Sequence, residues 1–148
     1  MIPAMIAANH IARVLGGRQI LGRRVASIAA LNDAVSQGFP KAALRQIAGR
    51  IFASKADQKQ LMYRIVPEAT FKRRRDRLSA AESERAERMA RVVATAEYTW
   101  DDRDGARRFL TTPHPALGGK SPVDAALTEL GARQVEEILA QIFHGLPA

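Results

Sequence analysis

Apolar positions along this chain recur at three- and four-residue spacings, and no stretch alternates apolar with polar residues between hairpin turns. The first spacing belongs to one face of an α-helix, and period-two alternation would mark a half-buried strand. The chain is therefore expected to be all-α. A first helix is predicted over residues 3–15, stopped by Gly16-Gly17. A second, over 22–37, puts Ile28, Leu31 and Val35 on one face and ends on Gly38 as its C-terminal cap. Residues 40–53 repeat the pattern through Leu44, Ile47 and Ile51. Ser54 and Asp57 read as a capping box that opens a helix carrying Leu61 and Met62. Pro67 lies close ahead and suits the first turn of the next helix, over 67–76. A second capping box, Ser79 with Glu82, restarts the chain on a helix to about Tyr98, with Met89, Val92, Val93 and Ala96 as its stripe.

Asp101 or Asp102 is expected to cap a short helix whose Ala106, Phe109 and Leu110 face inward. "TTPHPALGGKSP" reads as a loop from its Pro and Gly content. Ser121-Pro122 begins another helix, with Asp124 at the capping-box position and Gly131 at its end. The last helix, about 132–144, is amphipathic through Val135, Ile138, Leu139 and Ile142, and Gly145 stops it.

Composition supports this reading. Of the 148 residues 47% are hydrophobic but only 5% aromatic, so the core is built from Ala, Leu, Ile and Val. Ala and Leu propagate helix well. The net charge is +8, unevenly spread: residues 1–78 hold 15 Lys/Arg against 4 Asp/Glu, and residues 79–148 hold 8 against 11. Two units are expected, a basic helical region over 1–78 and a mildly acidic helical one over 79–148, with partners of different kinds. A basic surface points to a polyanion, most simply nucleic acid. The absence of cysteine excludes disulfides, thiolate metal sites and cysteine nucleophiles. His10, His114 and His144 show no ligand spacing. No apolar run approaches the ~18 residues of a membrane span. Asn9, His10 and Arg13 interrupt the apolar start too early for a signal peptide. A cytoplasmic location with no membrane partner is the expectation.

Three consecutive short helices, at 40–53, 55–64 and 67–76, make a minimal helix-turn-helix core over about 40–76, with a tight connection at Ile65-Val66. The helix from Pro67 would then enter a major groove. Glu68 and Thr70 lie at its start, best placed for base edges, while Lys72, Arg73, Arg74, Arg75 and Arg77 are candidate phosphate contacts. At ~100° per residue, Lys72 to Arg75 sweep about 300° of helix, so they cannot all face one ligand. Lys72 would share a face with Arg75, and Arg73 with Arg77. The same cations would also offset the helix macrodipole with no ligand at all.

In the acidic half no active site assembles. Asp101, Asp102 and Asp104 lack the Gly and terminal Glu of a calcium loop and fit helix caps better. His114 reads as a loop residue and His144 as a helix-end residue. In "ALGGKSP" two glycines and Lys120 can be read as an anion cradle, but the phosphate-loop spacing is missing and a tight turn explains them equally well. With no nucleophile–base pair or metal set, neither an enzyme nor a cofactor is expected.

Several ordered pieces, "GFPKAAL", "ATFKRRR" before "LSAAESERAERMARV", "DGARRFLTTPHPALGGKSPVDAALTELGARQVEEIL" and the closing "GLPA", go further. The stretch from about Gly38 to Ala148, three quarters of the chain, resembles the Xre/MbcA/ParS family of antitoxins, partners of RES-domain toxins in bacterial toxin–antitoxin pairs. The resemblance implies an N-terminal Xre-like helix-turn-helix region followed by a small C-terminal helical toxin-binding domain. It implies a non-enzymatic protein that covers the active-site cleft of a toxin acting on NAD, by degrading it or by transferring ADP-ribose. It also implies operator DNA as a second partner, autorepression, and a homodimer within a hetero-oligomeric complex. Carried onto this chain, the toxin-binding residues are Leu117, Gly118, Gly119, Lys120 and Pro122, then Gly131, Ala132, Val135 and Ile142, and the tail Gly145, Leu146, Pro147 and Ala148. Arg85 and Arg88 match charged positions common in the family. Phe109 stands where a Trp is usual and Glu84 where an Asp is usual. Glu129, Glu136 and Glu137 either compete with the dinucleotide's phosphates or form a solvated helix face. The alternative is a DNA-binding regulator with a C-terminal dimerisation domain and no toxin partner.

Overall fold

The computed structural model of the protein describes residues 6–145. Among these, the elements are α1 (Ala8–Val14), α2 (Gly17–Leu21), α3 (Ile28–Gln37), α4 (Lys41–Ile51), α5 (Lys55–Ile65), α6 (Glu68–Arg73), α7 (Ala80–Trp100), α8 (Arg103–Thr111), a 3-10 turn (Pro115–Leu117), α9 (Pro122–Ala125) and α10 (Glu129–Phe143). No strand occurs among the described residues; the nearest approach to a sheet is one isolated antiparallel bridge between Pro40 and Arg77.

The molecule is organised around α7. Its 21 residues span about 30 Å at 1.5 Å per residue. Ala86, Met89, Ala90, Val92, Val93, Ala94 and Ala96 are all buried, so most of the circumference is covered. The alanines let neighbours approach closely, and α1, α3, α4, α5, α8 and α10 all pack on this helix. Its start is fixed locally: the Ser79 hydroxyl accepts from the Glu82 N–H at 3.1 Å, and the Glu82 carboxylate accepts from the Ser79 N–H at 2.8 Å. A single hydrophobic cluster runs from Ile6 through Leu44, Met89 and Val93 to Leu139.

Four predicted elements are redrawn. Gly16-Gly17 does not simply stop a helix: Gly16, left-handed at φ 107°, is the N-cap of the five-residue α2. The helix expected over 22–37 begins only at Ile28, because Gly22 is left-handed and the Ser27 hydroxyl caps the Ala30 N–H at 3.0 Å. The helix expected over 67–76 stops at Arg73. Residues 74–78 instead run back along 38–41, where the Leu78 N–H donates to the Phe39 carbonyl (2.8 Å) and the Lys41 N–H to the Asp76 carbonyl (3.0 Å). Finally, Gly131 does not end a helix. α9 is one turn long, and Gly131 sits inside the first turn of α10, whose N-cap is Thr128. Part of the predicted first helix, residues 3–5, lies outside the described residues.

Arginines stitch the helix ends together. Arg85 on α7 donates to the Ile65 carbonyl at the end of α5 (2.9 Å), and Arg107 on α8 donates to the Gly49 and Arg50 carbonyls at the end of α4 (2.8 and 2.9 Å). Carbonyls of a last helical turn lack intrahelical partners, so each arginine satisfies an otherwise orphaned acceptor. Arg50 in turn pairs with Glu97 at 2.6 Å, and His10 lies 3.5 Å from the same carboxylate.

Candidate functional site

α5 and α6 meet through Val66 and Pro67, a connection short enough for a helix-turn-helix. Phe71 is the buried anchor of α6: the Tyr63 ring meets it edge-on at 6.0 Å. With Phe71 inward, Glu68, Ala69, Lys72 and Arg73 are exposed and Thr70 is half-buried. Glu68, expected near base edges, is engaged by Lys72 one turn later at 2.7 Å.

The basic run divides. Arg74 holds the buried Glu82 through two hydrogen bonds, 3.1 and 2.8 Å, and these hydrogen bonds draw the Glu82 carboxyl down to about 2. Arg77 donates to the Gly38 carbonyl at 2.8 Å. Both therefore have intramolecular work. Arg73 and Arg75 are exposed and make no ion pair among the described residues. Because the helix ends at Arg73, the expected shared faces of Lys72 with Arg75 and of Arg73 with Arg77 do not exist. The structure adds two cations that the linear run did not reveal. Lys41 lies 4.4 Å from the Phe71 ring centroid and donates to the Arg74 carbonyl (3.1 Å), and Arg45, one turn along α4, lies 5.4 Å from the same ring. The i, i+4 spacing of Lys41 and Arg45 after "GFP" was the available signal.

In the C-terminal part, the loop between α8 and α9 closes on itself. The His114 N–H donates to the Lys120 carbonyl (3.0 Å), the Gly119 N–H to the His114 carbonyl (3.2 Å), and His114 Nδ1 accepts from the Ala116 N–H (3.1 Å). His114 is thus the loop's organiser, half-buried rather than solvent-exposed. The Gly118 and Lys120 N–H groups are also spent, on Pro115 and Leu117 carbonyls. This corrects the anion-cradle reading: the backbone donors an anion would need point into the loop. Gly118 and Gly119 take left-handed φ values of 65° and 83°, which closes the turn.

Of the predicted toxin-binding residues, Gly118, Gly119, Lys120 and Gly145 are exposed and Ile142 is half-buried. Leu117, Pro122, Gly131, Ala132 and Val135 are buried; they hold the loop and α10 in place rather than present a surface. Leu146, Pro147 and Ala148 lie outside the described residues. Asp102 is the cap of α8, its carboxylate accepting from the Gly105 N–H at 2.8 Å, while Asp101 takes the left-handed end of α7. Glu129 and Glu136 are bound by Arg88 and Arg91 on α7, and the exposed Glu137 makes no ion pair among the described residues.

Two features of this end were not visible in the sequence. Aromatics gather where α7, α8, the loop and α10 finish: Tyr98 stacks on Phe143 at 5.6 Å, Trp100 meets Phe109 at 6.2 Å, and Phe109 meets His114 at 6.5 Å. Tyr98 and Trp100 remain 40% and 41% exposed. Exposed aromatics of this kind are typical anchors of protein interfaces. In addition, a hollow of about 490 Å³ lies between α5 and the loop, bounded by Leu61 and Arg64 on one side and Gly119, Lys120 and Asp124 on the other. Arg64 spans it to Asp124 at 2.5 Å. The helix that supports α6 and the loop predicted to bind a partner therefore share a wall.

Residues 30–91 match the antitoxin Xre-like helix-turn-helix domain, and residues 95–145 match the antitoxin Xre/MbcA/ParS C-terminal toxin-binding domain. The chain belongs to the Xre/MbcA/ParS antitoxin family. No curated protein matches it. In this antitoxin the two matches part inside α7, between Arg91 and Thr95, so one helix serves both modules. Among the described residues, no helix is long and apolar enough to cross a membrane, and no group of three or more His, Asp or Glu side chains is placed to hold a metal.

Proposed function

We propose that this antitoxin neutralises a RES-domain toxin by covering a cleft that consumes NAD or transfers its ADP-ribose, and that it represses its own operon by binding operator DNA. The reading rests on one observation: a helix-turn-helix module and a toxin-binding module follow one another on a shared helix. The antitoxin acts by occupancy, in the cytoplasm, within a hetero-oligomeric complex that contains two antitoxin copies. The exposed loop Gly118–Lys120, the aromatic edge of Tyr98 and Trp100, and the end of α10 with its tail form the toxin-facing surface. Leu117, Pro122, Gly131, Ala132 and Val135 position that surface from beneath. Operator contact falls to α6 and the segment after it, with Thr70 and Glu68 toward base edges and Lys72, Arg73 and Arg75 toward phosphates. Arg74 and Arg77 hold this segment on the body of the protein. Docking of a toxin against the loop would press on the Arg64–Asp124 bridge and hence on α5, which links the two activities. Co-expression with the neighbouring gene tests this reading. A complex that survives affinity purification and size exclusion is expected; separate elution of the two proteins would overturn it.

A further inference from the structure

A groove of about 650 Å³ runs between α3 on one side and α7 with α10 on the other, and it shares no lining residue with the hollow beneath the loop. Its α3 wall is apolar. Leu31 and Val35 form the floor and Ile28 stands at the lip, 53% exposed although it opens an amphipathic helix. Its opposite wall is acidic: Glu84 and Glu87 come from α7, Glu129 and Glu136 from α10, against the guanidiniums of Arg91 and Arg133. That wall therefore has two more carboxylates than guanidiniums, in a chain whose net charge is +8.

The excess is concentrated. Glu87, Glu129 and Glu136 converge on Arg91 at 3.2, 3.6 and 3.3 Å, and Arg88 reaches Glu129 at 3.1 Å. Burial pushes the Glu87 carboxyl up, against the pull of Arg91, and the neighbouring Glu136 and Glu129 add to it. Glu84 is exposed on the rim and makes no ion pair among the described residues. Glu87 and Glu136 share Arg91 while Glu129 divides itself between Arg91 and Arg88, so three carboxylates meet two guanidiniums. With Glu84 on the rim, they leave a field that favours an incoming cation. The apolar wall beside it favours a side chain of a different kind.

We propose that this groove docks an amphipathic, cationic segment of a partner protein, with its apolar side chains on Ile28, Leu31 and Val35 and its Lys or Arg side chains on Glu84, Glu87 and Glu136. Nucleic acid is repelled by such a wall. In a second copy of this chain, the cationic helices α5 and α6 turn Leu61, Met62, Ile65 and Phe71 into their own core and have no apolar face left for the groove. The site is thus a second protein interface, separate from the DNA-facing helices and from the loop of the toxin-binding module.

The test uses the full chain and a fluorescent Leu/Lys peptide of about four helical turns, with a Leu/Glu peptide of the same pattern as control. The Leu/Lys peptide is expected to bind, the Leu/Glu peptide at least tenfold more weakly. Ile28→Asp and Glu84→Lys are each expected to weaken the Leu/Lys complex about tenfold, the magnitude of one well-placed interfacial contact. Both positions are exposed, and an Asp at the first turn of α3 suits its helix dipole, so circular dichroism should be unchanged. Failure of the Leu/Lys peptide to bind, or binding indifferent to both substitutions, overturns the proposal. So does binding that emerges only when residues 1–5 are removed, or a chain dimer that Ile28→Asp dissolves. No toxin enters the experiment, so its outcome is independent of whether neutralisation occurs.

Discussion

A Cβ on Gly131 would fall on the backbone carbonyl of Ala125, and one on Gly38, whose φ is 91°, would fall on that of Leu78. Neither neighbour is a flexible side chain that could swing away. Gly131→Ala is therefore expected to destabilise the protein by about 1–3 kcal/mol, as overpacking does, and to lower the thermal midpoint measured by circular dichroism. An unchanged midpoint would mean that α9 and α10 are not packed this closely. Glu82 gives a second expectation. Its carboxyl is drawn from the ordinary value of 4.5 to about 2, chiefly by hydrogen bonds from Arg74. A depressed folded value adds stability that is fully present above about pH 4.5 and is lost as pH falls toward about 2. Allowing for the partly exposed Arg74, Glu82→Gln is expected to cost about 2 kcal/mol at pH 7 and nothing at pH 2, so its urea midpoint should fall less steeply than the parent's between about pH 4.5 and about 2. Caps such as Ser54, Ser79 and Ser121 were legible from sequence because a hydroxyl and an amide three residues on satisfy each other locally. The role of Gly131 was not, because what demands a glycine there is the carbonyl of Ala125 across an irregular turn.

At the level of elements, apolar periodicity located α4, α5, α7, α8 and most of α10, since each buries one stripe against α7 or its neighbours. It misplaced the end of α6. A run of good helix formers through Arg77 gave no local reason to stop, and the reason is the distant pairing of residues 74–78 with 38–41. That pairing also sorts the basic run, and DNA-binding experiments can read the sorting. Arg73→Ala and Arg75→Ala are each expected to weaken operator binding and to flatten the salt dependence by about one unit, while leaving stability unchanged. Arg74→Ala is expected to lower stability, because it strands the Glu82 carboxylate in a buried position. Equal effects of all three on the salt slope would show that the run acts as one undivided patch.

For the whole molecule, the charge asymmetry of the sequence survives folding but changes its meaning. The cations of the first half serve two ends: Arg73, Arg75 and Arg45 face outward, while Arg50, Arg74 and Arg77 fasten loops and helices. Among the acids of the second half, Glu129 and Glu136 bind Arg88 and Arg91 and so help fix α10 on α7. Composition registers the sum of such charges but not who neighbours whom, which is why the arginine–carbonyl ties and the aromatic edge emerged only from the structure. Common to both modules is α7, which the helix-turn-helix match enters and the toxin-binding match leaves, and on which six other helices pack. The most direct test of the proposed neutralisation titrates this antitoxin into the product of the neighbouring gene and follows NAD consumption. Inhibition is expected to rise linearly and to be complete at a fixed molar ratio, with no loss of NAD when the antitoxin is present alone. A toxin whose NAD turnover is unaffected at every ratio, with no complex on size exclusion, would contradict the account.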